Sequence, residues 1–340
     1  MNKKKIINLY AICLGLVAVL VSALRSYALI TSFNAVTMHF TGGIAFPMSA
    51  ILTPISIIAF AVYPVFDKNN EDMIPKTQIA TSFAPAGMVS IALFFFGFSC
   101  FESVDKYTPK ILFWLSIIGG IFAFISVAYI FLSIFIEKRI SSFKGLISLS
   151  IVVFLTVYAC FLYFNKQVHP TNSPNKIIDQ LTFLLSAIFF LFESRIPLGR
   201  AKWRPYVSFG LIAALMCYYS SVPALIYYFA EKRLIANSLI ESIFLLTLAI
   251  YITTKVLQTK NLIPDSECEV AKSIATLASI REEEIEEARK LSRARDIINE
   301  EKKDDVQDAS NYTFDIPYVD TAPNFNSQNA DSDLNQHRSE

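Results

Sequence analysis

Long apolar runs separated by short polar breaks fill the chain from residue 6 to residue 254. The runs cover 6–24, 47–66, 86–101, 111–136, 144–164, 177–195, 206–229 and 234–254. Most lie near the ~20 residues that a helix needs to cross ~30 Å of hydrocarbon. The pattern therefore predicts an all-α, polytopic membrane helix bundle of about eight transmembrane helices, 1–260. Residues 177–204 show the plan most clearly: an apolar stretch is entered past Asp179 and Gln180 and left through Glu193, Arg195, Arg200, Lys202 and Arg204. Such a span is expected to keep its basic end in the cytoplasm.

Between the first two runs the pattern changes. Val36, Met38 and Phe40 alternate with Thr37, His39 and Thr41, which predicts a short strand or interfacial segment with His39 solvated. Pro54, Pro64 and Pro223 fall inside apolar runs and predict kinks, tolerated where neighbours satisfy the carbonyls that proline leaves without a donor. The break 230–233 predicts a short turn before the last run, 234–254.

Beyond residue 260 the apolar pattern thins. Pro264 ends the preceding pattern, and Ser266 with Glu269 forms a capping box. Val270, Ile274 and Leu277, then Ala288, Leu291 and Ile298, mark a helical stripe broken by charge at Arg281 and Glu284, with Glu286 and Lys290 at i,i+4. Residues 261–303 are thus expected to form a cytoplasmic amphipathic, charged helix, weak as a coiled coil, with 266–303 as the surface for a cytoplasmic protein partner. Residues 304–340, rich in Asp, Asn and Ser, are expected to be a disordered acidic tail.

Composition sharpens this picture. With 54% hydrophobic residues and 29 Phe, the chain is too apolar for an ordinary soluble globule. Its net charge of +1 hides an asymmetry: the first 260 residues carry 21 Lys+Arg against 10 Asp+Glu, and the last 80 carry 9 against 19. If residues 3–5 lie inside, inner segments hold 14 Lys+Arg and outer segments 7, which places both ends of the chain in the cytoplasm of a cell-membrane protein. The run 6–24 also fits a signal peptide, with small residues Val21 and Ala23 before a cleavage point. Its 19 apolar residues exceed an ordinary signal core, so an uncleaved first span is the expectation; cleavage would leave seven spans and the tail inside.

The candidate chemistry is sparse. No HExxH, GxSxG, Walker loop or pair of intramembrane Asp occurs, and His39, His169 and His337 are too few and scattered for a metal site. The five Cys show no CxxC spacing and read as small apolar side chains, so neither metal nor cofactor is expected. The reading leans away from an enzyme. Intramembrane ionisable groups are functional candidates by default. Glu241, eight residues after Arg233, is expected about 12 Å into the last span, with Asn237 one turn earlier on the same face. Tyr218, Tyr219, Ser220 and Ser221 precede Pro223, and Asp179 with Gln180 opens the sixth span from the same side of the membrane. Together they outline a polar pocket for a solute, although the same set also reads as polar glue between helices.

Glu193 and Arg195, two apart, point away from each other on a helix, so each is expected to snorkel or to meet a lipid phosphate. Arg195, Arg200, Lys202, Trp203 and Arg204 form the expected lipid-interface anchor, and nucleic acid is not expected as a partner. The sequence leaves two functional classes: a carrier-like or channel-like protein for a small solute, or a membrane-embedded sensor or scaffold acting through its cytoplasmic tail. It assigns no oligomeric state.

Overall fold

The computed structural model describes residues 3–63, 73–75, 83–102, 109–135, 142–165, 173–196, 202–235, 238–259, 262–264 and 285–293. The chain divides into two units, Met1–Lys272 and Ser273–Glu340. In the second, residues 285–293 are helical and exposed throughout, with Lys290 Nζ 3.8 Å from Glu286 Oε1. The capping box at Ser266, the stripe positions Val270, Ile274, Leu277 and Ile298, and residues 304–340 lie outside the described residues.

The first unit is a helical multi-pass membrane bundle. Its helices are α1 (Lys3–Ser32), α2 (Ala45–Ala61), α3 (Phe83–Glu102), α4 (Lys110–Phe135), α5 (Ser142–Phe164), α6 (Pro174–Glu193), α7 (Trp203–Glu231) and α8 (Leu239–Gln258). Seven of them are long and apolar enough to cross a membrane; α2, at 17 residues, is shorter. Helices α3 to α8 pack each on the next and close into a ring where α8 meets α3, while α1 and α2 pack together against α7.

The sequence pattern explains this layering. Ile12, Leu16 and Val19 on α1, Ile51, Ile55 and Ile58 on α2, and Ile118, Ile121 and Ile125 on α4 recur every three or four residues and form exposed apolar faces suited to lipid. α7 is enclosed instead, and its Gly210, Ala213 and Ala214 let neighbouring helices approach closely. Phe96, Phe154, Tyr158, Phe183 and Phe244, from α3, α5, α6 and α8, meet in the ring with neighbouring centroids 4.7–6.4 Å apart. The centre of the ring is thus packed with aromatic side chains.

Three boundaries differ from the sequence reading. α1 runs past Arg25 to Ser32, because Tyr27, Ala28, Leu29 and Ile30 continue its apolar pattern. Strand pairing in the following segment is confined to β1 (Phe33–Asn34) and β2 (His39–Phe40), which pair antiparallel. The turn between them is closed by Asn34 Oδ1, which accepts the Val36 and Thr37 N–H groups at 2.9 and 3.2 Å, with Met38 at φ 57°. α8 begins at Leu239 and not at 234: Lys232, in the left-handed conformation, closes α7, and Ser238 caps α8 by accepting the Glu241 N–H at 3.1 Å. At the opposite end of the bundle from the β1–β2 hairpin, β3 (Met73–Pro75) pairs antiparallel with β4 (Leu262–Pro264).

Candidate functional site

The buried face of α6 carries polar residues from Asn175 to Ser186 and again at Glu193, with Phe189 and Phe190 between. Asn175, Asp179, Thr182, Ser186 and Glu193 are all buried and recur at helical spacing, so they form one seam spanning about 27 Å from first to last. Lipid-facing Ile177, Leu181, Leu184 and Leu191 occupy the other side. A charged cluster lies at each end of the seam.

At the hairpin end the cluster is built around a proline. Pro223 has no N–H to give to the carbonyl four residues earlier, which is that of Tyr219. Arg25 of α1, only 2% exposed, supplies the missing donor: its Nη1 lies 2.6 Å from Tyr219 O, and Ser22 Oγ donates to the adjacent Tyr218 O at 3.3 Å. The guanidinium sits over the Tyr219 ring, 4.7 Å from its centroid, and donates from Nη2 to Asn175 Oδ1 at 2.8 Å. Because arginine only donates, this bond fixes the orientation of the Asn175 amide. Asp179, one turn along α6 and 5% exposed, accepts a hydrogen bond from Ser220 and lies within electrostatic reach of Arg25. Tyr219 OH also pairs with Ser49 Oγ of α2 at 3.2 Å. Two buried donors of this cluster, Arg25 Nε and Asn175 Nδ2, have no protein partner among the described residues.

Beside the cluster, at the start of α6, lies a pocket of about 250 Å³ lined by His39, Phe40, Gly42, Gly43, Phe46, Pro47 and Pro174. Pro174 precedes Asn175, and Phe46 lies one turn before Ser49, so the pocket borders the residues that hold Arg25 and Tyr219. The Phe40 and Phe46 rings stack at 3.9 Å in its wall.

Midway along the seam, Thr182 Oγ1 approaches Met216 O at 3.4 Å and Ser186 Oγ lies 3.3 Å from Cys217 Sγ, both across the α6–α7 contact. At the far end Glu193 and Lys255 form a buried ion pair, Oε1 to Nζ 3.2 Å, and Tyr251 OH donates to the same carboxylate at 3.2 Å. Between Ser186 and Glu193 the seam is sealed by rings: Phe189 packs on Tyr206 at 4.9 Å and Phe190 on Tyr251 at 6.1 Å. Glu193 therefore does not snorkel. α8 extends to Gln258 and carries Lys255 to it inside the bundle.

The structure distributes the residues singled out from sequence among different surroundings. Asp179 and Ser220 bond to each other, and Tyr219 joins them through Arg25. Ser221 bonds back to Cys217 O of its own helix, Tyr218 turns toward Thr253 of α8 at 3.5 Å, and Gln180 is half-buried. Glu241 is fully buried, but it is the third residue of α8, about 3 Å along it, so the depth of about 12 Å does not hold. Its carboxylate accepts from Tyr158 OH at 2.9 Å, and the Tyr158 ring packs on Phe183, one turn beyond Asp179. Asn237 and Arg200 lie outside the described residues. Of the interface set, Lys202 is exposed, Arg204 is half-buried, and Arg195 lies over the Phe192 ring at 5.5 Å. Trp203 is buried against Tyr206 and faces the bundle.

Arg25, Asn175 and Lys255 carry the seam's ends and were not singled out from sequence. Two signals pointed to them: the carbonyl freed by Pro223 requires a donor, and both cations are flanked by apolar residues that continue a helix. No protein-family model, curated protein or solved structure matches the chain.

Proposed function

We propose that this multi-pass membrane protein is a carrier for a small solute, which binds at the hairpin end of the α6–α7 seam. The observation that carries the reading is the seam itself, a series of buried polar residues on α6 between two clusters of buried charge. Charge inside a membrane is costly and is retained where it meets a substrate, an ion or a partner charge. Arg25 and Asp179 stand at one end, and Glu193 and Lys255 close the other, with aromatic rings between. Rings between two buried clusters suit a site that opens toward one side at a time.

The reading includes eight crossings. α2 starts with Phe46 stacked on Phe40 of the hairpin and ends with Phe60 O accepting from Ser208 at the start of α7, which supports a full passage despite its length. With residues 3–5 cytoplasmic, the hairpin end then faces outward, and 261–340 follow on the cytoplasmic side of a cell membrane.

The test is solute uptake into proteoliposomes. Asp179→Asn is expected to abolish uptake, and deletion of 261–340 to leave most of it. The reverse pattern would favour the second reading, a sensor or scaffold whose partner binds 266–303, for which the exposure of Leu291 on the 285–293 helix speaks.

A further inference from the structure

The geometry points to a zwitterionic, amino-acid-class solute as the ligand of the hairpin-end cluster, its carboxylate held by Arg25 Nε and Asn175 Nδ2 and its ammonium facing Asp179. This inference rests on the carrier reading and narrows it to a substrate class.

Three observations carry it. First, among the described residues Arg25 Nε and Asn175 Nδ2 are buried donors without a protein partner, on two side chains joined by the Nη2 to Oδ1 bond, so an acceptor is needed for each. A buried donor left unsatisfied costs about 1–3 kcal/mol, and a carboxylate, with two acceptor oxygens, matches the pair. Second, Asn175 lies in the first turn of α6, where the N-cap Ser173 makes no side-chain cap bond and its hydroxyl instead approaches Met38 O at 3.3 Å. The amide groups of that turn add partial positive charge to the same place. Third, charge balance selects among carboxylates. Asp179 accepts from Ser220 within electrostatic reach of Arg25, so a zwitterion offers an opposite charge to the guanidinium and to the carboxyl, whereas a simple anion offers one to the guanidinium alone. A simple cation would satisfy Asp179 and leave both orphan donors unmet. The pocket of about 250 Å³ reaches Pro174, the chain neighbour of Asn175.

The experiment measures the Tm of the full-length protein in nanodiscs with glycine, L-alanine and L-leucine, with their methyl esters, and with their N-acetyl derivatives. At least one free amino acid is expected to raise the Tm saturably, by roughly 5 °C, while its ester and N-acetyl form leave it unchanged. Asn175→Ala is expected to shift the saturation midpoint roughly tenfold upward. Asp179→Asn supplies a readout that misfolding does not imitate: it removes the acid that faces the ammonium and keeps Arg25, so its preference should pass from the free amino acid to the N-acetyl monoanion. Equal shifts with esters, no shift with any of the three amino acids, or an unchanged preference in Asp179→Asn would overturn the proposal. Uptake of another solute class without an amino-acid response would defeat this inference and leave the carrier standing. Saturable amino-acid binding without accumulation in vesicles would defeat the carrier and leave the site standing.

Discussion

Arg25 shows how one residue's position follows from another's chemistry. Pro223 creates an acceptor at Tyr219 that the helix cannot satisfy, and the guanidinium of a neighbouring helix meets it while pairing with Asn175. Removing one member of a buried charged set leaves the others uncompensated, at a cost of about 3–5 kcal/mol. Arg25→Met should therefore lower stability by that order, and adding Asp179→Asn should restore part of it, as read by thermal unfolding of the two variants. Pro223→Ala returns a helical donor to Tyr219, so Arg25→Met should cost less in that background, a coupling that a double-mutant cycle measures. Asp179 and Ser220 could be singled out from sequence because an acid and a hydroxyl in apolar surroundings stand out, and the structure joins them by a hydrogen bond. That of Arg25 could not, because an apolar run appears to end at its first charge, whereas the helix continues wherever the charge finds partners.

At the scale of elements, the eight apolar runs correspond to α1 to α8, since hydropathy alone marks the segments that must satisfy their own backbone. Ends were less legible. Lys232 closes α7 and Ser238 starts α8, which moves Glu241 to the first turn, and Lys255 extends α8 beyond its apolar run. The Glu193–Lys255 pair that results joins the ends of α6 and α8. Lys255→Met alone should destabilise by about 3–5 kcal/mol, whereas the double change Glu193→Gln with Lys255→Met should be near neutral, checked by the same unfolding measurement. Helix contact is equally specific. A methyl group added at Gly210 would land on Val256 Cγ2 and within 3.1 Å of Phe189 Cε2, while one at Gly119 would meet only Val157 at an ordinary 3.7 Å. Gly210→Ala should cost roughly 1–3 kcal/mol, and Val256→Ala should relieve part of it; Gly119→Ala should be tolerated.

Across the whole of the first unit, a lipid-facing shell surrounds an aromatic-filled ring, with buried polar residues of α6 facing α7 between two charged clusters. If the protein is the proposed carrier, the seam between α6 and α7 opens to water during a working cycle. Cys217, buried with its sulfur beside Ser186 in the middle of that seam, is a native reporter, and Cys100, buried near the end of α3 against α4, is its control. The decisive measurement is the reaction rate of a small charged thiol reagent with reconstituted variants that keep only Cys217 or only Cys100. In a carrier, Cys217 should react far faster than Cys100 and at a rate that a bound solute changes. If Cys217 proves as inert as Cys100 with every solute tested, the seam is a packing surface and the carrier reading is contradicted.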